Sequence, residues 1–273
     1  MKLVVCVAFH FRKERLAYLS TVLESHKNFP CEVHEIILTN TANESEIQDI
    51  VSAAPSRSAN YQWEVITVSN IPHGWVLTWA HKAIFKNIIN NPAYTHFMYT
   101  EDDLAVAANN IQYWLHHREL LRPHGLYPSF IRVEWNSTIN GWACSDVVQN
   151  IDLQTASKLF IAEGMHYYVN APQPYQGLYL YDRELMLEHY ASRTFDFNAF
   201  GVFEADYVGV PERANLALTF ENVPDGFTSR NILNYSNKYK LLNYDSFVHH
   251  LPNTFADNPQ AQGGKLPVLG LIR

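Results

Sequence analysis

The strongest constraint on this chain is a rhythm in its first hundred residues. Leu3 to Phe9 is an unbroken apolar, β-rich run, and the RKERLAYLSTVLESH that follows sets Leu16, Leu19, Val22 and Leu23 at helical spacing. The same change of period returns in EVHEIILTN followed by ESEIQDIVSAA, and in YQWEVITVSN followed by GWVLTWAHKAIFKNIINN; a fourth strand reads as THFMYTEDD. Apolar strands separated by helices predict a parallel sheet covered on both faces. Ligands of such sheets collect at the carboxyl ends of the strands. Three segments end there in polar groups: His10 and Arg12 after the first strand, Thr39 and Asn40 after the second, and Glu101, Asp102 and Asp103 after the fourth. They are expected to converge on one crevice.

Beyond Asp103 the pattern is looser. NNIQYWLHHRELL reads as a helix and SFIRVEWN as a strand, and a polar, aromatic section then runs to about Pro174. YQGLYLYDRELMLEHYAS reads as a short strand into a helix, FEADYVGVPERANLAL as a helical piece that Pro211 interrupts or ends, and the tail is rich in turns. No repeat, low-complexity tract or linker composition divides the chain, so the expectation is one mixed α/β domain over residues 1–273.

Composition excludes several classes. A formal charge of -7, from 20 basic and 27 acidic residues with no basic cluster, argues against nucleic acid as a partner. Cys6, Cys31 and Cys144 lack the spacing of a disulfide framework or a zinc knuckle, which fits a reducing compartment. The start runs from apolar residues into charge without a small-residue cleavage site, and no apolar run approaches the roughly 20 residues that cross a bilayer. Peripheral contact with a membrane stays compatible with the sequence. Neither G-x-G-x-x-G nor G-x-x-x-x-G-K-[ST] occurs, which counts against a dinucleotide or P-loop site.

The acidic triplet raises the chemical question. Neighbouring carboxylates at the edge of a low-dielectric sheet repel one another unless a cation neutralises them. An oxygen-only ligand set favours Mg²⁺ or Mn²⁺, ions held by one or two carboxylates together with substrate phosphates. The alternative is that the triplet caps the helix after it.

MYTEDDLAVA resembles the D-x-D-type site of GT-A nucleotide-sugar glycosyltransferases, and is most similar to the E-D-D-L-x-V version in N-acetylglucosaminyltransferases of the N-glycan branching and O-mannose type. WAHKAIFKNIINNPAYTHFMYT resembles that family's helix-then-strand approach, QGLYLYDRELM its glycine-containing strand-to-helix segment, and EADYVGVPER the stretch with its catalytic Asp. The likeness spans roughly residues 1–215 and is concentrated at 96–106. It implies a GT-A, Rossmann-like fold with a mostly parallel mixed sheet flanked by helices. It also implies a nucleotide-binding half of about 1–105 and an acceptor-binding half, with the C-terminal tail, of about 106–273.

By the same resemblance Asp103 is the direct metal ligand, Asp102 and Glu101 contact ribose, sugar or metal-bound water, and Asp206 is the general base of an inverting transfer. Glu204 competes for that last role; on a helix the two diverge, so one of them faces the cleft. Some GT-A enzymes complete the metal site with a C-terminal His, which brings in His249 and His250, although the most similar family has no matching His. His10 and Arg12 are candidates for base and phosphates, Thr39 and Asn40 for uracil or ribose, and Lys82 for the diphosphate. Each has a structural alternative: a helix-opening Arg, a turn-forming Asn, a solvated helix Lys. Arg132 and Glu134 alternate with apolar residues, as one polar strand face lining a cleft or solvent would. Among the many aromatics of the second half, Trp135 and Tyr179 are the acceptor-stacking candidates, core filling being the general role of the others.

The reading that results is a metal-dependent inverting glycosyltransferase moving a sugar from a nucleoside-diphosphate donor, a UDP-sugar, to a carbohydrate acceptor. The expected location is cytoplasmic, including the inner face of the membrane, as for an enzyme of polysaccharide biosynthesis. A retaining GT-A transferase and a non-catalytic carbohydrate- or nucleotide-binding protein are the alternatives. A sugar-1-phosphate nucleotidyltransferase is disfavoured, because FHFRKE stands where a Gly-rich basic loop belongs.

Overall fold

The computed structural model describes residues 1–161, 166–196 and 209–273. They form two compact units: Met1–Leu104 with Gly177–Leu218, and Ala105–Gln176 with Thr219–Arg273. The described helices are α1 (Leu16–Lys27), α2 (Glu44–Ala53), α3 (Ala80–Ile88), α4 (Ala108–Leu121), α5 (Arg183–Ala191) and α6 (Val210–Leu216).

In the first unit, β1 (Lys2–Phe9), β2 (Glu32–Thr39), β3 (Tyr61–Thr67) and β4 (His96–Glu101) are parallel, in the order β3-β2-β1-β4. The apolar run from Leu3 to Phe9 is buried along its whole length, as a central strand covered on both faces requires. α1 packs Leu19, Val22 and Leu23 inward, and α2 starts at Asn43, whose side chain accepts a hydrogen bond from the Ser45 amide at 2.9 Å. α3 is preceded by a 3-10 stretch, Gly74–Trp79. A strand at Leu178–Asp182 adds to β4 antiparallel, with Tyr179 opposite Tyr99. Gly177 turns the chain into that strand at φ 68°, a left-handed conformation that glycine adopts without a Cβ penalty.

The chain passes from β1 to β2 on one side, while β4 lies on the other side of β1. Strand order therefore reverses between β1 and β4. A crevice opens at the carboxyl ends of two strands so arranged.

The second unit differs from the expected mostly parallel sheet. Its pairings are largely antiparallel: His166–Asn170 lies between Lys158–Ile161 and Asn231–Ser236, and Ile131–Asn136 pairs with Gly141–Cys144. Phe247–His250 runs parallel to Ile131–Asn136. The polar, aromatic section up to about Pro174 thus supplies strands of its own, and the tail contributes two more, Phe247–His250 and Leu266–Pro267. Their core gathers Val133, Cys144, Val169, Leu233 and Ile272, residues distant in sequence. Cys6 and Cys144 are buried thiols whose ionisation burial opposes, the latter pushed up to about 12. Among the described residues, no helix is long and apolar enough to cross a membrane.

Candidate functional site

The carboxyl ends of β1 and β4 frame a pocket of about 500 Å³, inside the roughly 300–1,000 Å³ range of small-molecule sites. His10, Arg12 and Arg15 line it from the chain after β1, and Glu101, Asp102 and Asp103 from the end of β4. His73, Gly74, Trp75 and Thr78 complete it from the segment that leads into α3, together with Pro211 of α6. The expected convergence of the first and fourth strand ends is therefore present.

Arg15, which the sequence reading passed over, answers the question of the triplet's repulsion in this structure. Its Nε donates to Asp102 Oδ2 at 2.8 Å and its Nη2 to Asp102 Oδ1 at 2.6 Å, while the same Nη2 donates to Asp103 Oδ2 at 2.8 Å. This is the fork geometry that guanidinium offers and ammonium does not. Both aspartates are buried, at 6% and 7% exposure. Burial pushes the Asp102 carboxyl up to about 6; Arg15 pulls against that shift and the neighbouring Asp103 adds to it. The Arg15 guanidinium is held charged above its ordinary value, chiefly by its hydrogen bonds to Asp102. Glu101 Oε1 accepts from Asn215 Nδ2 at 3.0 Å, which anchors it to α6.

The triplet does not cap a helix. α4 starts only at Ala108, and the Ala107 amide donates to Asn110 Oδ1 at 2.6 Å. As a donor set, two adjacent buried carboxylates and a third beside them suit a hard divalent ion. Arg15 already covers both oxygens of Asp102 and one of Asp103, so a metal ion there shares those oxygens or moves the guanidinium.

The 73–78 segment, read in the sequence only as the start of a helix, also lines the pocket; the His-Gly-Trp run in IPHGW is its only local signal. His73 Nδ1 accepts from the Trp75 amide at 3.2 Å, opening the 3-10 stretch. Trp75 is 61% exposed and its ring meets the His73 ring edge-on at 4.8 Å. A Cβ added at Gly74 would come within 2.6 Å of the His10 ring, so a larger residue there would have to push that exposed ring aside. Burial holds His10 below the ordinary imidazole range, with Arg12, His73 and Arg15 adding to the effect.

Other expected residues of the first unit serve the scaffold. Thr39 is fully buried, and Asn40 Oδ1 accepts from the Phe11 amide at 2.8 Å, tying down the chain after β1; neither lines the pocket. Lys82 is not a solvated helix residue and does not reach the pocket. It is 4% exposed, its Nζ donates to Thr194 O at 2.6 Å and lies 3.7 Å from the Trp79 ring, and burial lowers its pKa. Tyr179 is 1% exposed, stacked on Tyr181 at 4.7 Å, and has no surface to offer an acceptor.

In the second unit, His250 Nδ1 lies 2.5 Å from Glu134 Oε1, and Glu134 Oε2 accepts from the Phe255 and Ala256 amides at 2.8 and 2.6 Å. Burial raises the Glu134 pKa, but His250 and the two amides more than offset that, and the carboxyl ends below its ordinary value. The expected polar face of this strand is accordingly neither cleft nor solvent. Arg132 beside it forks onto Asp146 at 2.7 and 2.5 Å. His249 packs edge-on against Trp142 at 4.9 Å, and Trp142 likewise against Trp135, which is 42% exposed. Asp206 and Glu204 lie outside the described residues.

No protein-family model matches the chain. No curated protein matches it in sequence either.

Proposed function

We propose that this chain is a glycosyltransferase that takes a sugar from a nucleoside-diphosphate donor, a UDP-sugar, and passes it to a carbohydrate acceptor. One observation carries the reading: a pocket of ligand size at the strand-order reversal, where buried paired carboxylates and a forked arginine stand together. Open α/β sheets bind nucleotides at such reversals.

In this reading Asp103, with Asp102, holds Mg²⁺ or Mn²⁺. When bound, such an ion takes up negative charge on the departing diphosphate. Arg15, together with Arg12 and His10, supplies cationic or hydrogen-bonding groups to the diphosphate oxygens, which lets a net-acidic chain bind a polyanion. Glu101, anchored by Asn215, contacts ribose or sugar. Trp75 offers an exposed ring for stacking. Asp206, or Glu204 in its place, removes the acceptor hydroxyl proton as that oxygen attacks the anomeric carbon with inversion.

The pairing of Arg15 with both aspartates favours a second reading, in which the guanidinium is the site's cation and the donor binds without metal. Donor cleavage separates the two. UDP release from UDP-sugars that needs Mn²⁺ and disappears in Asp103→Ala supports the metal form; release indifferent to EDTA supports the arginine form. Absence of release from any nucleoside-diphosphate sugar, with saccharide acceptors present, contradicts both. NMR of the product's anomeric proton distinguishes inversion from retention.

A further inference from the structure

A cluster of three histidines in the second unit stands apart from the chemistry above. His116 and His117 are neighbours near the end of α4, and His166 opens the strand His166–Asn170. One ring nitrogen from each lies within 4.8 Å of the others. The rings meet nearly edge-on, at centroid distances of 4.9, 5.6 and 5.8 Å. Such packing is not accounted for by a hydrophobic core, because His116 is exposed and His166 half-buried.

Tyr168 supplies the second observation. It lies two residues after His166 on the same strand, hence on the same face. Its hydroxyl is 2.8 Å from His117 Nδ1, in the interior of the unit. A ring nitrogen fixed by a neighbouring hydroxyl leaves the other nitrogen of that ring oriented, which is how outer partners position metal-binding imidazoles. In the tautomer whose Nδ1–H donates to the Tyr168 hydroxyl oxygen, His117 Nε2 keeps the lone pair that a metal ion takes.

We propose that His116, His117 and His166 form a binding site for a borderline transition-metal ion, Zn²⁺ foremost, with Tyr168 as the positioning residue behind His117. Imidazole is a good ligand for Zn²⁺ and its neighbours in the first row, and a poor one for Mg²⁺. Nitrogens on a tetrahedral ion with bonds of 2.0–2.1 Å sit about 3.3 Å apart, so the three need to close by no more than about 1.5 Å. Rotation of the exposed His116 and half-buried His166 rings can supply that movement. Three protein nitrogens leave the fourth position to water. This site is independent of the pocket at the acidic triplet and stands whatever the donor chemistry there.

The test is titration of the untagged, EDTA-treated chain with Co²⁺, followed by Zn²⁺. The expected result is one Co²⁺ per chain with the visible absorption of a tetrahedral nitrogen-ligated ion, and displacement of that colour by Zn²⁺. His116→Ala, which alters an exposed side chain and leaves the fold alone, and His166→Ala should each weaken binding at least tenfold. Tyr168→Phe should weaken it about tenfold while the coordination spectrum is retained. Absence of a visible band at micromolar ion, or a band that survives unchanged in the His116→Ala, His166→Ala double variant, overturns the assignment.

Discussion

Arg15 is the side chain on which the first unit's charge balance turns. Replacing it with Ala leaves Asp102 and Asp103 as buried, adjacent carboxylates without their guanidinium. Breaking a fully buried pair costs about 3–5 kcal/mol; Arg15 is partly solvated, so about 2–3 kcal/mol is expected for Arg15→Ala in urea denaturation. If the aspartates also bind a divalent ion, Mn²⁺ should restore more stability to that variant than to the wild type. Asp102 gives a pH signature. Its folded pKa of about 6 lies above the 3.8 of an unperturbed Asp, so between these values the native state holds more proton than the unfolded one. This contribution therefore lowers stability as pH rises through the window, by up to about 1.4 kcal/mol per unit. Asp102→Asn should remove that slope, read from denaturant midpoints at several pH values. Ligand binding that needs the ionised carboxylate should weaken as pH falls below about 6. The acidic triplet was legible because three acids after an apolar strand are unusual. Arg15 was not: RKER offers three cations, and only the turn Lys13–Arg15 decides which one swings inward.

At the scale of elements, the first four strands and their helices could be read directly, since each announces itself by a local change of period. The strand Ile131–Asn136 shows where this stops. Its alternation correctly marked Arg132 and Glu134 as one face, but whether that face meets solvent depends on non-local neighbours. Glu134 is instead a buried hub for His250 and two amides of the 255–256 turn. Glu134→Ala should cost about 3–5 kcal/mol, because it strands the imidazole and both N–H groups. Glu134→Gln should cost less, because a carbonyl oxygen still accepts. Since the folded Glu134 pKa is depressed, its stabilising contribution is complete above the unfolded value near 4.5 and fades as pH falls below it. Chemical denaturation of the two variants and the wild type at pH 4 and pH 7 checks both statements. Lys82 illustrates the same limit: nothing local distinguishes a solvated helix lysine from one drawn inward by Trp79 and the Thr194 carbonyl.

For the whole molecule, the sequence gives no warning that Gly177–Leu218 belongs with Met1–Leu104. No shift of composition marks the junction at Gly177, and the pairing of Leu178–Asp182 with β4 spans roughly eighty residues of chain. A fragment ending at Leu104 should therefore fail as an independent domain: without that partner strand, β4 becomes an apolar edge open to other chains. Size-exclusion chromatography should show residues 1–104 aggregated or insoluble and the full chain soluble. The reversal of strand order between β1 and β4 is also a property of the assembled sheet. It makes the acidic triplet one wall of a pocket whose other wall carries Arg15, Arg12 and His10. Calorimetric titration with UDP, with and without Mn²⁺, interrogates that pocket directly. The account predicts binding at the β1–β4 edge that Mn²⁺ strengthens and that Asp103→Asn and Arg15→Ala each weaken. Binding of no nucleoside diphosphate under either condition, or binding untouched by both substitutions, would contradict it.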